Sequence, residues 1–230
     1  MWLSICDEKH TTCHLKTAGL FVPTRLIDVA RKDSTDMIYL VMPDAASSVQ
    51  YLALSHPWGG NHSHHMKTTS AVLDSYTGGI PIDRLPPTFR DAVRATRELG
   101  IRYLWIDSLC TIQDSQGDWL TEAGCMEEVF QHAYCVISAT CATGQESGFL
   151  RDDQPQRPLV TFNRKPEEHF YICKLIDDFS TDVSQSKLYQ RGWVLSERVM
   201  ARRTVFFTAS QTYFECGDGI RCGSFTKMFT

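Results

Sequence analysis

Between residues 85 and 107 the hydrophobic period of the chain changes from helical to continuous, and that change sharply limits the folds open to it. Leu85-Pro86-Pro87-Thr88 leads into a segment in which Phe89, Val93, Thr96 and Leu99 recur at helical spacing, with Ala92 beside them. Proline is tolerated in a first helical turn, where its missing N–H has no partner to lose, and glycine suits the position just past a helix end. Gly100 stands at that end. Ile101-Arg102-Tyr103-Leu104-Trp105-Ile106-Asp107 follows as a short apolar run of strand length. Helix, glycine and buried strand make half of a βαβ unit. The pattern predicts an α/β fold with a mostly parallel central sheet, flanking helices and added loops.

Other segments extend that reading. Leu20–Asp28 is expected to turn at Pro23 into a short strand. Met37–Met42 and Tyr51–Ser55 are compact apolar runs of strand type, the second ending in the turn signal His56-Pro57-Trp58-Gly59-Gly60. Asn61–Ser75 reads as an exposed polar loop. Asp118–Ala133 reads as one amphipathic helix with Trp119, Ala123, Met126, Val129, Phe130 and Ala133 on its apolar face. Cys135–Thr140 and Phe170–Leu175 read as strands, Gly144–Pro158 as a loop and Arg191–Ala201 as a helix. Thr204–Thr208 and Thr212–Cys216 suggest a C-terminal β-hairpin, and Gly217–Thr230 offers no clear element.

At 230 residues the chain suits a single domain spanning 1–230. Its net charge of -4 leaves no basic footprint for nucleic acid. Its apolar runs are too short for a membrane span, and the start, Met1-Trp2-Leu3-Ser4-Ile5-Cys6-Asp7, does not resemble a secretory leader. Cys110, Cys135, Cys141 and Cys173 lie in apolar settings, as reduced core thiols do, so a cytoplasmic location is expected.

Three blocks in order carry a family resemblance. They are Tyr51-Leu52-Ala53-Leu54-Ser55-His56-Pro57-Trp58-Gly59; Leu104-Trp105-Ile106-Asp107-Ser108-Leu109-Cys110-Thr111-Ile112-Gln113-Asp114, continuing through Asp118-Trp119, Glu122, Met126, Val129-Phe130 and Ala133; and Arg191-Gly192-Trp193-Val194-Leu195-Ser196-Glu197-Arg198, with Arg202-Arg203 and Phe214-Glu215-Cys216 beyond. Pro23-Thr24-Arg25-Leu26-Ile27-Asp28 is similar to the usual lead-in. Together they resemble the HET (heterokaryon incompatibility) domain of filamentous fungi. Two positions depart from the family pattern: Ser196 stands where glutamine is usual, and His56 where an aromatic is usual. The resemblance implies a distant relation to TIR domains and hence a flavodoxin-like fold. It also implies a cell-death role. Some TIR domains cleave NAD through one helical glutamate, for which Glu122 is the positional counterpart. Read on its own, Glu122 is a carboxylate early in a helix, where the dipole favours it.

The residues themselves point to a crevice at the carboxyl ends of strands, the usual ligand position in open α/β sheets. Ser55 and Asp107 end two such strands, and Trp58 and Gly59 would line the space between them. Asp107 equally suits a turn carboxylate, and Trp58-Gly59-Gly60 a plain tight turn. His56 offers an acid or base, or simply a turn before Pro57. Arg191 offers a bidentate clamp for phosphate or carboxylate, or an ion pair with Glu197, and Trp193 a stacking face. Cys6, His10 and Cys13 have metal-compatible spacing, but zinc would need a fourth ligand, such as His14 or Cys216, that the sequence does not point to; the alternative is a short buried amphipathic segment. His62, His64 and His65 read mainly as a solvated loop, and Cys110 as a buried thiol. Three functions remain open. One is an incompatibility effector that consumes NAD or assembles as a homo-oligomer. Another is a stand-alone enzyme of a fungal biosynthetic pathway that cyclises or isomerises a small molecule. The third is a non-catalytic self-association module.

Overall fold

In the computed structural model, residues 2–13, 21–31, 35–44, 49–60, 65–150, 160–165, 168–172, 178–223 and 227–228 are described. Helix α1 (Trp2–Lys9) buries Leu3 and Cys6. Strands β1 (Leu26–Asp28) and β2 (Met37–Val41) follow, the second alternating buried Ile38 and Leu40 with half-buried neighbours, as a strand with one covered face does. All five residues of β3 (Tyr51–Ser55) are buried, the mark of a strand covered on both faces. Helix α2 (Leu73–Gly78) and strand β4 (Ile80–Pro81) precede α3 (Pro87–Glu98) and β5 (Tyr103–Ile106). Gly100 adopts φ +72° just past α3, as the sequence predicts for a helix-ending glycine.

A single turn, α4 (Asp107–Cys110), leads to α5 (Gln116–Gly124) and α6 (Met126–His132). The one helix expected over 118–133 is therefore two, broken at Cys125 with φ -99° and ψ 0°. Ser115 caps α5 by accepting from the Asp118 amide at 3.3 Å. Strand β6 (Cys135–Ser138) is followed by β7 (Val160–Lys165) and β8 (Glu168–Ile172), a hairpin by themselves. Helix α7 (Gly192–Met200) then precedes β9 (Arg203–Phe207), β10 (Thr212–Cys216), β11 (Gly219–Cys222) and β12 (Lys227–Met228). The expected hairpin is β9–β10. The meander that continues it was not expected, although Gly219-Ile220-Arg221-Cys222 alternates half-buried and buried residues.

The main sheet runs β12-β11-β10-β9-β6-β3-β5-β1-β2-β4. Among the described residues only β3–β5, β3–β6 and β6–β9 pair in parallel. The six other pairings are antiparallel, which overturns the mostly parallel sheet expected from sequence. The reason lies in the connections. Each parallel neighbour is reached through a helical crossover: α3 before β5, α5 and α6 before β6, and α7 before β9. Short links return the chain antiparallel in β1–β2, β9–β10, β10–β11 and β11–β12, whereas β1–β5 and β2–β4 pair antiparallel across long stretches of chain. The α/β class stands, with its parallel part confined to four central strands.

The core gathers on those strands. Trp105, Tyr51, Phe89 and Phe130 are fully buried. Trp105 meets Phe130 edge-on at 5.7 Å, and the Tyr51 hydroxyl donates to the Val129 carbonyl at 2.7 Å. The loop expected over 61–75 is not simply exposed; residues 61–64 lie outside the described residues. Thr68 is buried: its amide donates to Ser108 O at 2.8 Å and its hydroxyl to Leu109 O at 2.6 Å. Its polar groups are satisfied inside the protein, so burial costs little. No helix among the described residues is long and apolar enough to cross a membrane.

Candidate functional site

The carboxyl ends of β3 and β5 and the start of α7 converge on one crevice. Asp107 stands directly after β5 and opens α4. One of its oxygens accepts from the Ser108 amide at 2.6 Å and the other from the Trp58 indole Nε1 at 2.6 Å. The turn reading and the crevice reading of Asp107 thus hold together. Trp58 reaches it because β3 runs straight into His56-Pro57-Trp58-Gly59. Gly59 has φ +95°, and a Cβ there would lie 3.3 Å from Gly144 Cα, so two glycines let the loops after β3 and β6 touch.

Ser55 ends β3 and donates through Oγ to Glu197 Oε2 at 2.5 Å. Glu197 is half-buried on α7. Burial pushes its carboxyl up to about 7, with Asp107 adding to the rise while the Ser55 hydrogen bond and Arg191 oppose it. Arg191 does not pair with Glu197 through a hydrogen bond; its Nη1 donates to the His56 carbonyl at 3.1 Å. The crevice encloses about 170 Å³, and its walls include Trp58, Asp107, Arg191, Trp193 and Glu197. Trp193 is 72% exposed and Trp119, which also lines the crevice, 50%. An adjoining hollow shares Ala123, Met126, Trp193 and Glu197 and adds Ser196. Two carboxyl groups, a guanidinium and two solvent-facing indoles therefore share one small volume. Such a set suits a ligand with a planar ring, hydroxyls and an anionic group.

Some residues expected at the site lie elsewhere. The His56 ring is buried, edge-on to Phe89 at 5.2 Å, with neither nitrogen hydrogen-bonded among the described residues. Burial lowers its pKa and holds it neutral, although Asp107 opposes this. Glu122 does not line the crevice. It is buried and accepts from Arg25 Nη2 at 3.2 Å. The same nitrogen meets both oxygens of Asp118 at 2.6 Å, and Arg25 Nε donates to Cys110 O at 2.6 Å. Burial raises the Glu122 carboxyl, against a Thr24 hydrogen bond and the Arg25 charge. This cluster ties α5 to the lead-in of β1. The Cys110 thiol is buried and pushed up to about 12, which suits packing rather than nucleophilic use.

Trp119, one of the tryptophans the sequence offers as aromatic surface for a crevice, lines it, whereas Trp105 is buried in the core; Thr111, Gln113, Ala123 and Met126 also line it and are not expected there from sequence. A signal existed for Gln113, which follows the strand-ending Asp107 by six residues; its Nε2 donates to Asp107 O at 3.3 Å. His65 packs edge-on to Trp58 at 6.0 Å. His14, His62, His64 and Cys173 lie outside the described residues. Cys6, His10 and Cys13 come together apart from the crevice, where they meet Cys216.

A family model described as "Heterokaryon incompatibility protein (HET)" matches residues 51–197, a segment that contains every residue lining the crevice. The chain has no significant match among curated proteins or solved structures.

Proposed function

The chain belongs to the heterokaryon incompatibility (HET) family, and from that membership we propose that it is an incompatibility effector whose crevice binds NAD and hydrolyses the bond between nicotinamide and ribose. One observation carries the reading: Asp107, Glu197, Arg191, Trp119 and Trp193 share a crevice at the carboxyl ends of parallel strands. The parallel heart of the sheet is also what a TIR-like relation would retain.

In this reading an indole face stacks on the nicotinamide ring and Arg191 meets the diphosphate. Glu197, rather than Glu122, faces the ribose. The C–N bond breaks with its electron pair leaving on nicotinamide, and the ribose carbon becomes oxocarbenium-like. The Glu197 carboxylate stabilises that charge, and Asp107 holds a ribose hydroxyl. Water then adds to the same carbon, and Glu197, titrating near 7, accepts its proton. The products are nicotinamide, ADP-ribose and a proton released to solvent.

Chromatography of NAD incubated with the whole chain tests the reading. Nicotinamide release that saturates with NAD supports it. Folded protein that yields none at high concentration and long incubation overturns it. A second reading, self-association, is favoured by the exposed Trp193, Leu195 and Val199 on α7, at 72%, 59% and 70%. Sedimentation would then show assembly that rises with concentration and falls in Leu195→Glu.

A further inference from the structure

We propose that Cys6, His10, Cys13 and Cys216 form a structural zinc site that fastens the N-terminal helix to the turn between β10 and β11. The three thiols and the imidazole bring their ligand atoms within 4.8 Å of one another, although Cys13 and Cys216 stand 203 positions apart in the chain. Tetrahedral zinc, with Zn–S of about 2.3 Å and Zn–N of about 2.0–2.1 Å, sets ligand–ligand edges of roughly 3.6–3.8 Å. His10 Nδ1 lies 3.4 Å from Cys216 Sγ, close to such an edge.

Local structure explains the convergence. Cys6 and His10 stand one helical turn apart, with the His10 amide donating to Cys6 O at 3.0 Å. A 3₁₀ turn over Thr11–Cys13 folds Cys13 back, its amide donating to His10 O at 2.9 Å. From the other side, Cys216 ends β10 at the tight turn Gly217-Asp218. A Cβ on Gly217 would come within 3.2 Å of Cys13 Sγ, so the turn approaches the sulfur as closely as glycine allows.

The surroundings are those of a metal site rather than of three idle thiols. His10 Nε2 lies 3.5 Å from Asp218 Oδ2. That carboxylate would orient the ring and leave Nδ1 free to ligate, the usual outer-shell arrangement. The Asp218 amide points at Cys216 Sγ at 3.5 Å, as donors to metal-bound thiolates do. Cys6, Cys13 and Cys216 are 0%, 1% and 8% exposed. Three thiolates on zinc leave one negative charge. Arg203 lies beside it: its side chain is 2% exposed, its Nη2 pairs with Asp7 at 2.7 Å and reaches the Cys13 carbonyl at 3.5 Å, and its Nε has no hydrogen-bond partner among the described residues. None of the four ligands falls within the segment that matches the family model, so the site would be a feature of this chain's two flanks.

The test is metal content by mass spectrometry on the whole chain, purified reduced and then given excess zinc and dialysed. About one zinc per chain is expected, falling at least tenfold in Cys216→Ser but retained in Cys222→Ser, which alters a buried cysteine outside the cluster. Cobalt(II) loaded into the unaltered chain should give thiolate-to-cobalt charge-transfer bands and the strong visible bands of tetrahedral coordination. This second reading stands even if Cys216→Ser fails to fold. A folded, reduced chain that takes up neither metal, or binds cobalt without charge-transfer bands, overturns the proposal.

Discussion

Glu197 is the residue on which the site turns, and its titration has two consequences. Its carboxyl rises from 4.5 to about 7 in the folded chain, while the unfolded chain keeps the lower value. Below 4.5 both states hold the proton and the shift does nothing. Between 4.5 and 7 the unfolded state loses its proton first, so stability falls as pH rises, and above 7 the penalty is complete. Glu197→Gln should therefore be more stable than the unaltered chain at pH 8, by about 3 kcal/mol, and match it at pH 4. The same substitution should abolish turnover, whose rate in the unaltered chain should climb through pH 7 as Glu197 ionises. Calorimetry and a pH–rate profile read the two effects separately. Asp118→Ala should behave oppositely. It leaves the buried Arg25 guanidinium with Glu122 as its one carboxylate partner and strands the Ile112 amide, which donates to Asp118 at 2.7 Å, so it should cost about 2 kcal/mol with little change in KM. Sequence alone brought out Ser55, Trp58, Asp107, Arg191, Trp193 and Glu197, because strand ends and an Arg-Gly-Trp helix start can be read locally. It also pointed to Glu122, which lies outside the crevice lining because it faces Arg25, 97 positions earlier in the chain. His56 explains itself in the fold: its ring packs on Phe89 as the aromatic usual at that position would.

Elements hold those residues in register. Helix α7 is anchored by Arg198, which donates to both oxygens of Glu215 on β10 at 2.7 and 2.8 Å and lies 4.9 Å from the Phe179 ring centre. Trp58 is held by the contact between Gly59 and Gly144. Alanine at Gly59 meets both a positive φ and a backbone neighbour, so Gly59→Ala should cost about 1–3 kcal/mol. It should also raise KM, because the indole donating to Asp107 moves; thermal melts paired with kinetics would check both. Helix α3 and strand β5 were legible because Pro87, Gly100 and a change of period mark their limits. The division between α5 and α6 at Cys125 was not, since the apolar spacing runs across it. Strand β11 was missed because Ile220 and Cys222 alternate with a glycine and an arginine rather than forming an apolar run like those of β5 and β6, and β12 because it has only two residues.

Across the whole molecule, a four-strand parallel centre carries antiparallel flanks, and the crevice opens where the parallel strands end. Its order predicts a gradient of local stability. Amides of β3, whose residues are all buried between two parallel neighbours, should exchange hydrogen most slowly, and those of β11 and β12 at the sheet edge faster. Hydrogen-exchange mass spectrometry would show the reverse if the flanks formed the stable unit. The parallel centre was legible from one helix–glycine–strand segment; the antiparallel flanks were not, because strand direction depends on connections that local patterns do not reveal. The most direct test of the site is nicotinamide release from NAD measured side by side for the unaltered chain, Glu197→Gln and Glu122→Gln. Release that vanishes in Glu197→Gln and survives in folded Glu122→Gln is the predicted result. Release that survives in Glu197→Gln and vanishes in folded Glu122→Gln would contradict it and move the chemistry out of the crevice.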